Sequence, residues 1–139
     1  MAVFQYMIGN SDWDFRGGRN VKLMKRNGLY VMIPYDFDFS GLVDAAYALP
    51  NPNYSLVSVQ ERNYMGFEED LDNLEETLAH FLTKEAVILQ TIKKFKKLNW
   101  AGRQEAQVYI NTFYKNINTI KYQAKKTLTV MKVVRQNID

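Results

Sequence analysis

The sequence predicts an α+β protein, with a small β-hairpin and its flanking loops packed on a mainly helical C-terminal half. Three observations carry that expectation. Asn27-Gly28 sits between two short apolar runs, which is the pattern of a tight hairpin turn. Beyond Phe67 the apolar residues recur at helical spacing. Hydrophobic residues make up 47% of the chain and aromatic ones 14%, enough to bury a core and to exclude disorder as a whole-chain description. At 139 residues one domain suffices, divided into a loop-and-hairpin region, 1–66, and a helical region, 67–139.

Taken in order, Phe4, Met7 and Ile8 suit the end of a short buried helix that Gly9-Asn10 would stop. Ser11 to Asn20 is a polar loop with Gly17-Gly18 as its most pliant point. Val21–Met24 and Leu29–Ile33 are the two strands, and Pro34 ends the second by removing a ladder donor. A short helix is expected from Leu42 to Ala48 and a brief strand at Leu56–Val59. A first long helix spans Glu68–Leu82, its acidic residues at the positive N-terminal end. Thr83 is expected to cap a second, running to about Leu98 with Ile88, Leu89, Ile92 and Phe95 on one face. Asn99–Gly102 then reads as a turn. The third helix begins near Arg103 and carries a stripe of Tyr109, Ile110, Phe113, Ile117, Ile120, Ala124, Leu128 and Met131. That stripe allows either an unbroken helix to about Arg135 or a break near Asn116–Asn118.

Composition removes several classes of function. Without cysteine there is no disulfide, no thiolate metal site and no Cys nucleophile. No apolar run approaches the roughly 20 residues of a membrane helix, and the N-terminus lacks a signal-peptide pattern. As given, the chain reads as soluble, with its compartment left open. Net charge is only +3, but it is unevenly spread. Glu68, Glu69, Asp70, Asp72, Glu75 and Glu76 form an acidic run, whereas from Lys84 onward twelve Lys or Arg face only Glu85, Glu105 and Asp139.

The residues that suggest chemistry are Asp12, Asn20, Asp36 and Asp38. Asn20 precedes the first strand and Asp36 follows the second, so a hairpin would bring both to its open end. Carboxylate and amide oxygens are the donors that a hard cation such as Mg²⁺ prefers, and two or three suffice because the ion keeps waters.

Ile8-Gly9-Asn10-Ser11-Asp12 followed by Arg19-Asn20-Val21-Lys22-Leu23 resembles the catalytic loop of the HipA and CotH kinase-like families. Pro34-Tyr35-Asp36-Phe37-Asp38-Phe39-Ser40-Gly41-Leu42-Val43 resembles their metal-binding segment. Both stretches are more closely similar to an uncharacterised bacterial family, chiefly from Bacteroidetes. In that family Gly-Asn-Thr-Asp-Trp and Pro-Tyr-Asp-Phe-Asp-x-Ser-Gly-Leu-Val recur, and Arg62-Asn63-Tyr64-Met65-Gly66 fits its Arg-x-Tyr-x-Gly segment.

The resemblance implies a kinase-like C-lobe and an ATP- and Mg²⁺-dependent phosphotransferase. Asp12 would be the catalytic carboxylate, with Asp14 open as the alternative. Asn20 and Asp36 would hold Mg²⁺, Asp38 would be a second metal ligand or a hydrogen-bonding group, and Arg19 would touch a phosphate. There are departures. Asn20 lies eight residues after Asp12 where the common kinase loop has five, and no Gly-rich phosphate loop or strand-borne Lys is present. The resemblance therefore implies a missing N-lobe or upstream region as partner, and a chain that is a poor kinase alone.

The other candidates read as structural. His80 has no sequence partner for catalysis or metal binding, and Trp13 and Trp100 are expected to anchor loops. Lys93–Lys97 reads as the solvated face of a helix, its aromatic neighbours on the apolar side, which disfavours nucleic acid. The alternative function is a non-catalytic module whose basic helices bind an acidic protein, nucleic acid or a second copy of the chain.

Overall fold

The computed structural model describes residues 1–67, 71–126 and 129. Among them, one two-stranded antiparallel sheet and four helices make an α+β protein. The elements are α1 (Ala2–Ile8), β1 (Val21–Arg26), β2 (Leu29–Pro34), α2 (Leu74–Lys94), α3 (Trp100–Lys115), a 3-10 turn (Ile117–Thr119) and α4 (120–126). The chain forms two compact units, one running to Asn63 and the other from Tyr64 onward.

The first unit is organised around the C-terminus of α1. Gly9 is left-handed (φ 64°), and its N–H donates to Tyr6 O at 3.1 Å while Asn10 N–H donates to Gln5 O at 2.9 Å. This pair of bonds is a Schellman motif, which needs a residue without a Cβ penalty at the left-handed position. The Asn10 side chain adds a 3.0 Å bond to Gln5 Oε1, and both residues are buried. A helix leaves its last carbonyls without partners, and here distant donors reach them. Leu42 N–H donates to Ile8 O and Gly41 N–H to Gly9 O, both at 3.0 Å, and Arg62 Nε–H donates to Met7 O at 3.1 Å. The Arg62 guanidinium thereby meets the negative end of the helix dipole.

The expected helix at Leu42–Ala48 does not form. Asp44 is left-handed (φ 47°), which no right-handed helix can pass through, so the segment is a series of turns. The expected strand at Leu56–Val59 is likewise absent. That stretch bends, with Leu56 N–H donating to Tyr54 O and Val57 87% exposed, and it has no ladder partner.

The hairpin forms as its sequence predicts. Arg26 pairs with Leu29 across Asn27 (φ 50°) and Gly28 (φ 80°), the two positive φ values of a type I′ turn. Its apolar residues are not buried, however. Leu23, Met24, Leu29, Tyr30, Val31, Met32 and Ile33 are all exposed, and only Val21 enters the core. The ribbon is thus anchored at its open end.

In the second unit, the predicted boundary at Thr83 does not exist. Helix α2 runs through it, and the Thr83 hydroxyl donates back to His80 O at 2.7 Å instead of capping a new helix. The helix begins at Leu74, while Glu68–Asp70 of the predicted start lie outside the described residues. It ends at Lys94, with Phe95 extended as its C-cap, four residues short of Leu98. The predicted turn at Asn99–Gly102 is instead the start of α3, because the Asn99 side chain accepts the Gly102 N–H at 2.8 Å as an N-cap.

Of the two readings of the third helix, the break near Asn116 is what occurs, followed by the 3-10 turn. Ile110, Phe113, Ile117, Ile120 and Ala124 of the predicted stripe are buried with Leu74 and Leu78 of α2. Leu128 and Met131 fall outside the described residues. Lys121 pairs with Glu75 and holds its carboxyl below the ordinary value, joining α4 to α2.

Candidate functional site

The strand ladder ends at Val21–Pro34, and beyond it Tyr35 N–H donates to Asn20 O at 3.1 Å. Each chain leaves the ladder through a left-handed residue, Asn20 (φ 55°) on one side and Asp36 (φ 60°) on the other. Asn and Asp are the side-chain-bearing residues that tolerate this region best. The hairpin therefore delivers both residues to its open end, turned out of the sheet.

The structure gathers the predicted residues into two adjacent pairs. The Asn20 amide donates to the Asp12 carboxylate at 3.0 Å and to the Asp12 backbone oxygen at 2.7 Å. Arg19 Nη1 lies 3.5 Å from the other Asp12 oxygen, so Arg19 stands beside Asp12. Asp12 N–H in turn donates to the Asn10 side chain at 2.8 Å. The second pair is Asp36 and Asp38. Hydrogen bonding to Asp38, then the Asp38 charge, then desolvation and the Asp12 charge hold the Asp36 pKa above its ordinary value. Asp38 accepts a 3.0 Å bond from the Tyr47 hydroxyl and is the main reason that the Tyr47 pKa is also raised.

Aromatic contacts fix the second loop on either side of Asp38. Phe37 meets Phe4 of α1 edge-on at 5.9 Å, and Phe39 meets Tyr47 at the same distance. Asp14 has a different task. It accepts Arg16 N–H at 2.9 Å and its backbone pairs with Arg19, closing the intervening loop. A Cβ on Gly17 would stand 2.5 Å from the Asp14 carboxylate, so a side chain there would have to displace it.

Three contributors have little or no functional signal in the sequence. Tyr47 is the first, with nothing but proximity after folding to mark it. Asn51 is the second, buried between Pro50 and Pro52, where its amide donates to Ser11 O at 2.6 Å and its oxygen accepts Asn53 N–H at 3.0 Å. Asn10 is the third, and its spacing two before Asp12 is that of an Asx turn. Of the three, Asn51 lines a cavity of about 280 Å³ beside Asp12 and Arg19, walled by Phe39, Leu49, Pro50 and Pro52. Asn51→Ala leaves the Ser11 carbonyl unpaired, and we expect a loss of about 1–3 kcal/mol, read from urea unfolding. The Asp12 amide should then exchange faster.

The donor set suits a hard cation. The charges of Asp38 and Asp12 act on Asp36, Asn20 adds an amide, and Arg19 is the cation beside Asp12. Among the described residues no group of three or more His, Cys, Asp or Glu is set to cage a metal. Asp38→Asn removes the neighbouring charge and offers Asp36 an amide donor. The Asp36 pKa should then fall toward its ordinary value in a carboxyl-detected NMR titration.

Comparisons with protein-family models, with characterised proteins and with solved structures found no match. Among the described residues no helix is long and apolar enough to cross a membrane.

Proposed function

We propose that this chain is the catalytic- and metal-loop half of an ATP- and Mg²⁺-dependent phosphotransferase of the HipA and CotH kind, working with a nucleotide-binding lobe. The observation that supports this best is the convergence of Asp12, Asn20, Asp36 and Asp38 at the open end of one hairpin. Asp36, Asp38 and Asn20 would hold the ion, whose charge would offset that of the nucleotide phosphates. Asp12, fixed by Asn10 and Asn20, would orient the acceptor hydroxyl, and the adjoining cavity has room for the acceptor. Asp14 is taken up by its turn, which favours Asp12 as the carboxylate that acts. Arg19 would lie close enough to meet a phosphate oxygen.

The uncovered ribbon fits the expected partner. Leu23 and Met32 lie on one face and Met24, Val31 and Ile33 on the other. Apolar surface exposed on both faces of a two-stranded sheet marks an interaction site. The test is a titration of the full chain with Mg²⁺ and then ATP, following backbone amides. Shifts centred on Asp12, Asn20 and Asp36 support the reading, and silence there removes it.

A further inference from the structure

The turn joining α2 to α3 carries a concentrated basic and apolar surface in the second unit. Residues 93–100 are all exposed, making this the protruding end of the helix pair. They include Lys93, Lys94, Lys96 and Lys97, and no acidic residue lies between Glu85 and Glu105. Interleaved with the lysines are Phe95, Leu98 and Trp100, which are 48%, 39% and 70% exposed. The sequence placed Phe95 on a buried helix face and made Trp100 a loop anchor. The structure does neither, because α2 stops before Phe95 and α3 starts at Trp100.

The turn is also firmly built. Phe95 N–H donates to Ile92 O at 3.1 Å and Leu98 N–H to Phe95 O at 3.3 Å. Arg103 reaches back to the carbonyls of Leu98 and Phe95, and Asn99 caps α3. Its three apolar side chains are thus presented on a fixed frame, at little ordering cost on binding.

We propose that this corner docks on an anionic lipid surface. Lysines are drawn to the negative potential of such a surface, at roughly five-fold in affinity for each one engaged. Tryptophan suits the headgroup level, and Phe95 and Leu98 gain by entering the acyl boundary. A nucleic acid would match the lysines but leave the aliphatic Leu98 in water. Its stacking platforms also belong in a groove that tracks the strand, whereas this surface protrudes. Negative charge with an apolar layer beneath it answers both halves of the patch at once.

Flotation of the full chain with phosphatidylcholine vesicles, with and without about 30% phosphatidylserine, tests this. Binding is expected to the anionic vesicles alone and to weaken as salt rises. Because Trp13 is buried, the emission should shift to the blue through Trp100, and Trp100→Phe should bind without that shift. Lys96→Gln with Lys97→Gln should weaken binding roughly 25-fold, with an unchanged circular dichroism spectrum. Equal binding to neutral vesicles, or none to anionic ones, overturns the proposal. So does a Trp100 response to single-stranded RNA but not to vesicles, which would make the corner a nucleic-acid interface.

Discussion

Replacing Asp36 with Asn is expected to abolish the Mg²⁺ response of the site while making the folded protein more stable at neutral pH. The two effects have one cause. Asp36 holds its proton more tightly in the fold than a free carboxyl does, because it shares a hydrogen bond with Asp38 and faces the charges of Asp38 and Asp12. The native state therefore binds more protons than the unfolded chain just above the ordinary carboxylate range. Stability must fall as pH rises through the folded pKa of Asp36. Asn at this position keeps the left-handed backbone, which it tolerates at least as well as Asp, and removes the repelling charge.

Wild type and variant should then differ little in acid, with the variant gaining as pH rises to neutrality. Thermal unfolding across that window reads the difference. The sign separates two accounts of the same residue. An aspartate kept only to brace a turn would destabilise the chain when replaced, whereas one kept to hold a cation costs stability until the cation arrives. A destabilised variant that still shows Mg²⁺-dependent shifts at Asn20 and Asp38 would end the metal-site reading.

The features legible in the sequence were those with a local cause. Gly9 after Ile8 stops a helix, Asn27-Gly28 turns a hairpin, and Pro34 closes a strand. Each acts through the backbone preferences of one or two residues. Placing Asn20 and Asp36 at the same end of the hairpin needed only strand register. What could not be read depended on partners distant in the chain. Leu42–Ala48 has the composition of a helix, but its start is docked on the end of α1 through Leu42 N–H and Ile8 O, and Asp44 takes a left-handed backbone there. Tyr47 and Asn51 join the site through contacts 9 and 40 residues away, with no spacing rule to announce them. The Arg62-Asn63-Tyr64-Met65-Gly66 segment gains a structural meaning in the same way. Arg62 caps α1, and Gly66 is required because a Cβ there would stand 2.5 Å from the buried Tyr64 ring. In the second unit, a missed N-cap at Asn99 displaced the start of α3, since Trp100-Ala101-Gly102 has a turn-like composition and the cap is decided by one side-chain bond.

Phe113→Ala should have the largest effect on stability, about 3–5 kcal/mol. Phe113 is 1% exposed, and its ring meets Phe81 at 5.9 Å and Tyr114 at 5.0 Å, both edge-on. Leu74, Leu78, Ile110 and Ile117 are buried in the same unit, so truncation removes a ring from its centre. Backbone held in helices on either side cannot collapse far enough to refill the space. A loss of that size approaches the total stability of a small domain. With a urea dependence of about 1–3 kcal/mol per molar, the midpoint should fall by at least about 1 M, read at the helical circular dichroism band. Val108→Ala on the same helix is the control. Val108 is 63% exposed, and its loss should change stability by no more than about 0.5 kcal/mol. Equal effects from the two variants would mean that α3 is held by helix propensity rather than by its buried face, and that the stripe of apolar residues does not form the core.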